Sequence, residues 1–244
     1  MANIKLCLEY DGTNYHGWQR QPDVISIQGT IEERIKTIVQ EDIVLTGAGR
    51  TDARVHALGQ TANFKTRSQI APSSLQRSLN RLLPSDIVVT DSQYVDEDFH
   101  ARYSAKAKVY QYRILNRNYP TAINRDFIWN LNYNIDIRKM KIASDYLVGK
   151  HDFASFCSSI YQGKNTICHI YLLSIKKRDA LILVNIRGDR FLSHMVRNIV
   201  GALIDTGRDK ILPSDIKKIM KAGERKGYGI IAPPEGLFLM EVIY

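Results

Sequence analysis

Residues 47–57 read GAGRTDARVHA, a stretch that carries one carboxylate between two arginines. Its two glycines allow positive φ angles or a close approach of the backbone to a ligand. Arg50 and Arg54 flank Asp52, and a nearby guanidinium favours the ionised form of a carboxylate. Residues 61–66 have the pattern of a short strand. The stretch therefore predicts a loop that is supported on a strand and presents Asp52.

Asp52 has two interpretations at this point. A nucleophilic carboxylate must be charged, fixed in position and close to cations that also suit phosphate, and this loop offers all three. An aspartate in a glycine-containing loop is more often a plain turn residue, and the loop taken alone favours that interpretation. The Gly-Ala-Gly portion lacks the Gly-Lys-Ser/Thr ending of a P-loop, which argues against a nucleotide-binding site of that class.

Strands and helices are mixed along the whole chain, which indicates an α+β fold rather than a wound parallel sheet. Thr30 and Glu33 form a capping-box pattern at the start of the first helix, and Asp136 is the expected cap of a later one. Alternation of apolar residues predicts strands at 4–10, 61–66, 87–90, 109–115, 170–176, 180–187 and 237–244. Helical periodicity predicts further helices at 72–83 and 191–205 and from Ser214 onward.

Composition restricts the class of protein. The chain has 244 residues, of which 44% are hydrophobic and 24% charged, as in soluble globular proteins. We find no signal segment and no apolar run long enough to span a bilayer. The three scattered cysteines contain no CxxC pair, so neither a disulfide framework nor a structural zinc site is expected. A reducing cytoplasm is the expected setting.

Charge is distributed unevenly between the two halves. Residues 1–104 contain 11 Lys and Arg against 13 Asp and Glu, whereas residues 105–244 contain 23 against 12. A basic half suits a polyanionic partner, because each neutralised phosphate releases counterions. A basic surface is also common in proteins that bind no nucleic acid, so charge alone only favours an RNA or DNA partner.

Five ordered blocks of the chain resemble the tRNA pseudouridine synthase A (TruA) family. One of them is the loop at 47–57, and a series of matched blocks is far more specific than any single one. The others are YDGTNYHGWQRQ at 10–21, FHARYSA with VYQYR at 99–105 and 109–113, FLSHMVRNIVG at 191–201, and APPEGL at 232–237.

The resemblance implies a fold of two similar, ferredoxin- or RRM-like α/β units. Their mainly antiparallel sheets would join, with the active site in a central cleft. We expect an N-terminal domain at 1–104 that carries the Asp52 loop. A basic C-terminal domain at 105–244 would carry the remaining active-site motifs. Family members act as homodimers, so a homodimer that binds the anticodon arm of tRNA is also expected.

The resemblance further implies isomerisation of uridine to pseudouridine at tRNA positions 38, 39 and 40. The C1′–N1 bond breaks, the uracil rotates, and a C1′–C5 bond forms. No atoms are gained or lost, so neither a cofactor nor a metal ion is expected. A base inside a stem must be flipped out before it reacts.

Three residues of this chain match the family's site residues, and a fourth is added from its position in the Asp52 loop. Asp52 would be the essential carboxylate, acting by attack on C1′ or by promoting elimination. Tyr110 would pack against the uracil, although a strand tyrosine by itself is more often a core residue. Arg197 would pair with Asp52, although a helical arginine by itself is more often solvated. Arg50 is our choice for a residue that takes part in base flipping or phosphate positioning.

Some expectations about neighbouring residues come from the pattern alone. On the helix expected at 191–205, Arg197 would share a polar face with Arg190, Ser193, His194 and Gly201. His56 and His194 are interpreted as RNA contacts or ordinary polar residues, and neither is assigned a catalytic role.

Two other functions were weighed against the synthase. A binding-only RNA protein on a related scaffold would be expected to lose the carboxylate or the tyrosine, yet Asp52, Tyr110 and Arg197 are all present. A glycoside or nucleoside hydrolase usually needs two cooperating carboxylates. Asp11 is the only partner candidate in the sequence, and its context is typical of a turn.

The charge distribution yields a first prediction. Raising salt from about 50 to about 200 mM should weaken tRNA binding steeply, because released counterions drive association. The measurement is the dissociation constant of a labelled tRNA transcript at several salt concentrations. A flat response would contradict the assignment of the basic half to tRNA backbone binding.

Overall fold

The computed structural model describes residues 1–158, 165–223 and 229–244. The chain divides into two compact units, one made of residues 1–106 with 238–244 and the other of residues 107–237. Each unit contains strands with helices packed against them, so the α+β class is confirmed.

The first unit contains β1 (Ala2–Tyr10), α1 (Ile27–Val39), β2 (Thr46–Gly47), β3 (His56–Thr66), α2 (Pro72–Leu82), β4 (Ile87–Val95) and β10 (Leu237–Ile243). Its strand order is β4-β1-β3-β10. The strand β3 pairs antiparallel with β1 and with the short β2, and parallel with β10. Side chains alternate across β1, where Ile4, Leu6 and Leu8 are fully buried.

The helix α1 begins earlier than the sequence pattern indicates. Its N-cap is Ser26, whose hydroxyl accepts a hydrogen bond from the backbone N–H of Gly29 at 3.3 Å. The expected capping box of Thr30 and Glu33 is therefore wrong, because both residues lie inside the helix. Ile31 and Ile35 lie on the apolar face of α1 and are fully buried.

The second unit contains β5 (Ala107–Asn116), β6 (Trp129–Leu131), α3 (Ile137–Asp145), β7 (Gly149–Asp152), β8 (Ile167–Arg178), β9 (Leu181–Gly188), α4 (Met195–Gly207) and α5 (Asp215–Ala222). Its strand order is β5-β9-β8-β7, with the short β6 parallel to β5. The strands predicted at 170–176 and 180–187 are confirmed as the antiparallel pair β8 and β9.

The helix α4 begins at Met195 rather than at residue 191. His194 precedes it with a left-handed φ of 62°, which ends helical geometry on that side. The expected polar face that would include Arg190, Ser193 and His194 is therefore wrong, since those residues precede the helix.

Among the described residues, none of the helices has both the length and the apolar character that a bilayer crossing requires.

The cap of α3 provides a test of the fold. Asp136 accepts hydrogen bonds from the backbone N–H groups of Arg138 and Lys139 at 2.8 and 3.2 Å. Asp136→Ala should lower the free energy of unfolding by about 1 kcal/mol, because both N–H groups lose their acceptor. Asp136→Asn keeps an acceptor and serves as the matched control. Equal midpoints of denaturant unfolding for Asp136→Ala and the original protein would contradict the assignment.

Candidate active site

The Asp52 loop lies between β2 and β3 of the first unit. Asp52 is half-buried, whereas Arg50 and Arg54 are exposed and Thr51 is buried. The loop therefore presents its carboxylate at the surface of the unit while the preceding residue faces inward. This placement fits the expectation that a strand supports Asp52.

Hydrogen bonds of buried side chains connect the loop to the strands β1 and β3. The hydroxyl groups of Tyr10 and Thr51 form a hydrogen bond of 2.8 Å, which connects the end of β1 to the residue before Asp52. The amide of Gln60, on β3, donates to the carbonyl oxygen of Gly49 at 2.8 Å. Burial raises the pKa of Tyr10 to about 12, so its hydroxyl is neutral at physiological pH.

The segment that follows β1 forms backbone hydrogen bonds with the loop. The backbone N–H of Trp18 donates to the carbonyl oxygen of Thr51 at 3.0 Å, and that of Arg54 donates to Tyr15 at 3.3 Å. Gly17 has a φ of +88°, and a Cβ there would lie 2.6 Å from the Thr51 carbonyl oxygen. Only glycine fits this close approach, so the Asp52 backbone has little room to shift.

Asp11 and His56 serve structural roles beside the loop. One carboxylate oxygen of Asp11 accepts hydrogen bonds from the backbone N–H and the hydroxyl of Thr13, which is an Asx turn. His56 is 1% exposed, its Nδ1 accepts from the N–H of Gly12, and its ring stacks on Phe238 at 4.8 Å. The turn interpretation of Asp11 is therefore confirmed, and His56 is an ordinary buried polar residue.

Tyr110 lies on β5 in the second unit and is 7% exposed. Its ring meets the edge of Phe191 with 5.1 Å between ring centroids. Tyr112 shares its face of the strand, is fully buried, and donates its hydroxyl to the carbonyl oxygen of Pro233 at 2.6 Å. Burial raises the pKa of Tyr112 well above its usual range, and the nearby Glu235 adds to the effect. Tyr112 is therefore a core residue that fixes this end of the strand.

Arg197, in the first turn of α4, is half-buried. Its Nε donates to the carbonyl oxygen of Ala232 at 2.8 Å, and the N–H of Ala232 donates to the Arg197 carbonyl oxygen at 3.2 Å. The same segment supplies Pro233, which accepts from Tyr112. Arg197 thus has a fixed guanidinium, unlike the solvated arginine that helical spacing alone favours.

The expected site residues are distributed over both units, with Asp52 and Arg50 on one loop of the first, and Tyr110 and Arg197 in the second. Sequence reasoning missed the residues that hold them in place. In the first unit these are Tyr10, Thr51 and Gln60, and in the second they are the carbonyl groups of 232–233. Tyr10, Thr51 and residues 232–233 lie in the matched sequence blocks, whereas Gln60 lies outside them. A hydrogen bond between distant residues has no local pattern that could have identified it.

A family model described as tRNA pseudouridine synthase matches residues 6–104 and 143–244. The chain belongs to the tRNA pseudouridine synthase family. The resemblance inferred from the five blocks is therefore confirmed. Asp52, Arg50 and Arg197 fall within the matched ranges, whereas Tyr110 lies between them.

Relatives within the family match the chain from end to end. The tRNA pseudouridine synthase A of Acetivibrio thermocellus is 46% identical over 244 residues, covering 100% of both chains. The protein of the same name from Thermoanaerobacter sp. strain X514 is 44% identical with the same coverage. A crystal structure of the archaeal box H/ACA sRNP Nop10-Cbf5 complex has a TM-score of 0.38 at 10% identity, covering 82% of this chain and 43% of that one.

The buried hydroxyl of Tyr10 yields a pH prediction. Because the pKa is raised from about 10 in the unfolded chain to about 12, the neutral form is favoured by folding. Its contribution to stability is complete below pH 10 and is lost as the pH rises through 12. Tyr10→Phe should lower the free energy of unfolding by about 1 kcal/mol at neutral pH and make the alkaline decline shallower.

Denaturant unfolding at neutral pH and at steps between pH 10 and 12 measures both effects. Tyr94→Phe, which removes a hydroxyl from a tyrosine that is 53% exposed, is the control. Parallel alkaline declines for Tyr10→Phe and the original protein would contradict the prediction.

Proposed function

We propose that this chain converts uridine to pseudouridine in the anticodon stem-loop of tRNA, with positions 38, 39 and 40 as the expected targets. The observation that carries the proposal is an aspartate in the GRTDARVH stretch, supported on two sides, in a chain of the tRNA pseudouridine synthase family. A loop that was merely a solvated turn would not need a buried hydroxyl pair and a glycine-dependent contact to fix its backbone.

The reaction is balanced without an added reagent. The C1′–N1 bond breaks, the uracil turns, C5 bonds to C1′, and the proton that C5 carried is lost while N1 gains one. Substrate and product have the same atoms and the same oxidation level. We therefore expect activity without a metal ion or a redox cofactor.

Asp52 is assigned as the catalytic residue. Its carboxylate either attacks C1′ as a nucleophile or promotes elimination, and both routes need a fixed, charged oxygen. The hydrogen bonds to Gly49 and Thr51 support this assignment, because they restrict the backbone immediately before Asp52. A restricted carboxylate loses less entropy when it reaches the reacting atom.

Tyr110 and Arg197 are assigned to substrate binding. Tyr110 is held against Phe191, which gives a stationary aromatic face of the kind that packs against a uracil ring. Arg197 is held by Ala232 through Nε, so its positive charge has a defined direction. Fixed aromatic and cationic groups suit a flipped base and its negatively charged surroundings.

Arg50 is assigned to base flipping or phosphate positioning. Its side chain is exposed, and the carbonyl of the preceding Gly49 is held by Gln60. A long cation on a fixed backbone can enter the space that a flipped base leaves, or bind the neighbouring phosphate.

Oligomeric state, cellular setting and hydrolase activity were also considered in the sequence. The homodimer and the cytoplasmic setting stay predictions. A hydrolase that needs two carboxylates is not favoured, because Asp11 is engaged in its own turn with Thr13.

The decisive experiment measures tritium release from tRNA transcripts with C5-labelled uridine in the anticodon arm, with no added cofactor. Asp52→Asn should lower the rate by roughly a thousandfold or more while tRNA binding changes little, because the amide keeps the shape and loses the charge. Asp23→Asn, at an exposed position with a φ of 60° that asparagine tolerates, is the matched control. Full activity of Asp52→Asn would refute the proposal, and mapping of the product by sequencing tests the three positions.

A further inference from the structure

An aromatic and basic cluster lies on the surface of the first unit, on a different loop from Asp52. It consists of His100, Arg102 and Tyr103, which we call the Tyr103 platform. The Tyr103 side chain is 76% exposed, whereas Tyr119, another tyrosine on the surface, is 60% exposed. Exposing an aromatic ring this far forgoes the stability that its burial would give, so the exposure requires an explanation.

The backbone beneath the platform is fixed by two buried asparagines. Asn3 and Asn63 bond to each other at 2.9 Å, and the Asn3 amide donates to the carbonyl oxygens of Asp96 and Phe99 at 2.8 and 2.9 Å. The side-chain Oδ1 of Asn63 accepts a hydrogen bond from the backbone N–H of Ala101 at 2.8 Å. These side chains project from β1 and β3, so the loop is tied to the sheet.

Further contacts close the loop from the other side. The hydroxyl of Tyr244 donates to the Ala101 carbonyl oxygen at 2.8 Å, and its ring packs on Phe99 with 4.9 Å between centroids. Within the loop, Ser104 and His100 exchange two hydrogen bonds, of 3.1 and 2.9 Å. The loop is thus ordered by buried and half-buried groups, although the Arg102 and Tyr103 side chains that it presents are exposed.

The His100 and Arg102 side chains both lie beside the Tyr103 ring. The His100 and Tyr103 rings lie 4.3 Å apart, and the Arg102 guanidinium lies 5.5 Å from the Tyr103 centroid. The Nδ1 of His100 accepts from the backbone N–H groups of Arg102 and Tyr103, so the proton of the neutral ring is on Nε2. The platform therefore combines an exposed aromatic face with hydrogen-bond donors beside it.

The carboxylates that precede the platform in the sequence do not pair with its arginine. Three carboxylates precede the platform, at Asp96, Glu97 and Asp98, and Glu97 lies 3.9 Å from the ammonium of Lys65. Over the part of the chain that the structure covers, Arg102 has no carboxylate within ion-pair distance. The guanidinium is therefore available to a phosphate.

We propose that the Tyr103 platform is a second RNA-binding site, separate from the flipped nucleotide, at which Tyr103 stacks on a base and Arg102 pairs with a phosphate. The inference rests on the proposed function, since it takes tRNA as the ligand. An exposed ring beside a guanidinium is the arrangement with which proteins bind unpaired bases. The ordered loop lowers the entropic cost of that contact. The site lies in the less basic half, where the charge distribution did not place RNA binding.

The test compares the affinity of purified variants for a fluorescently labelled tRNA transcript, by anisotropy. Tyr103→Ala should raise the dissociation constant on the order of tenfold, because the stacking surface is lost. Tyr103→Phe keeps the ring and should bind nearly as well as the original protein. Arg102→Ala should reduce the slope of affinity against salt by about one.

Controls separate the platform from general surface effects. Tyr94→Ala removes another exposed tyrosine of the first unit and should leave the affinity unchanged. Thermal unfolding verifies that Tyr103→Ala remains folded, as expected for an exposed side chain. In tritium-release kinetics, the loss should fall on KM far more than on kcat.

The outcomes are distinct. Unchanged tRNA affinity of Tyr103→Ala would overturn the platform, whatever the activity of the original protein. If light scattering shows that Tyr103→Ala changes the oligomeric mass while the affinity of each protein chain for tRNA stays the same, the platform would also be overturned. The loop would then be a contact between copies of the chain. Absence of tritium release from the original protein would refute the proposed function, while the binding comparison would still decide on the platform.

Discussion

The hydrogen bond between the hydroxyls of Tyr10 and Thr51 is the interaction on which the candidate catalytic loop most depends. Tyr10 ends the first strand, so the bond transfers the rigidity of the sheet to the residue before Asp52. Both groups are buried, and a buried hydroxyl without a partner costs about 1 to 3 kcal/mol. The contact therefore has to form whenever the unit folds. The buried Thr51 holds the backbone in place, so the adjacent Asp52 can lie at the surface.

The second unit solves the same problem with backbone carbonyl groups. Ala232 accepts from Arg197 and Pro233 accepts from Tyr112, so one short segment fixes a helix residue and a strand residue together. Proline restricts the φ of this segment before any contact is made, which lowers the entropy lost on ordering it. In both units the residues that contact substrate in our proposal are positioned by partners far away in the sequence.

Local patterns predicted the longer strands and the α-helices of the described residues, because alternation and helical periodicity are properties of neighbouring residues. They missed the short strands β2, β6 and β7. They failed where a competing local group decided the outcome, as when Ser26 rather than Thr30 capped the first helix. They failed again at His194, whose left-handed backbone delays the start of α4. The roles of Tyr110 and Arg197 came from the family resemblance alone, since core packing and solvation are the commoner explanations of such residues in isolation. Asp52 by itself favoured a turn, and only the other blocks reversed that interpretation.

The pairing of β10 with β3 has a consequence for the order of events during protein synthesis. Phe238 aligns with His56 and stacks on its ring, so the strand that follows the Asp52 loop obtains a neighbour from a segment translated much later. At ribosomal speeds of about 5 to 20 residues per second, residues 1–106 emerge on the order of ten seconds before Phe238 does. During that interval the edge of β3 at His56 and Ala57, where β10 will pair, has no strand beside it, because β2 covers only Ala62 and Asn63. This part of the strand edge is therefore open to wrong partners in the nascent first unit until residues 238–244 have been translated.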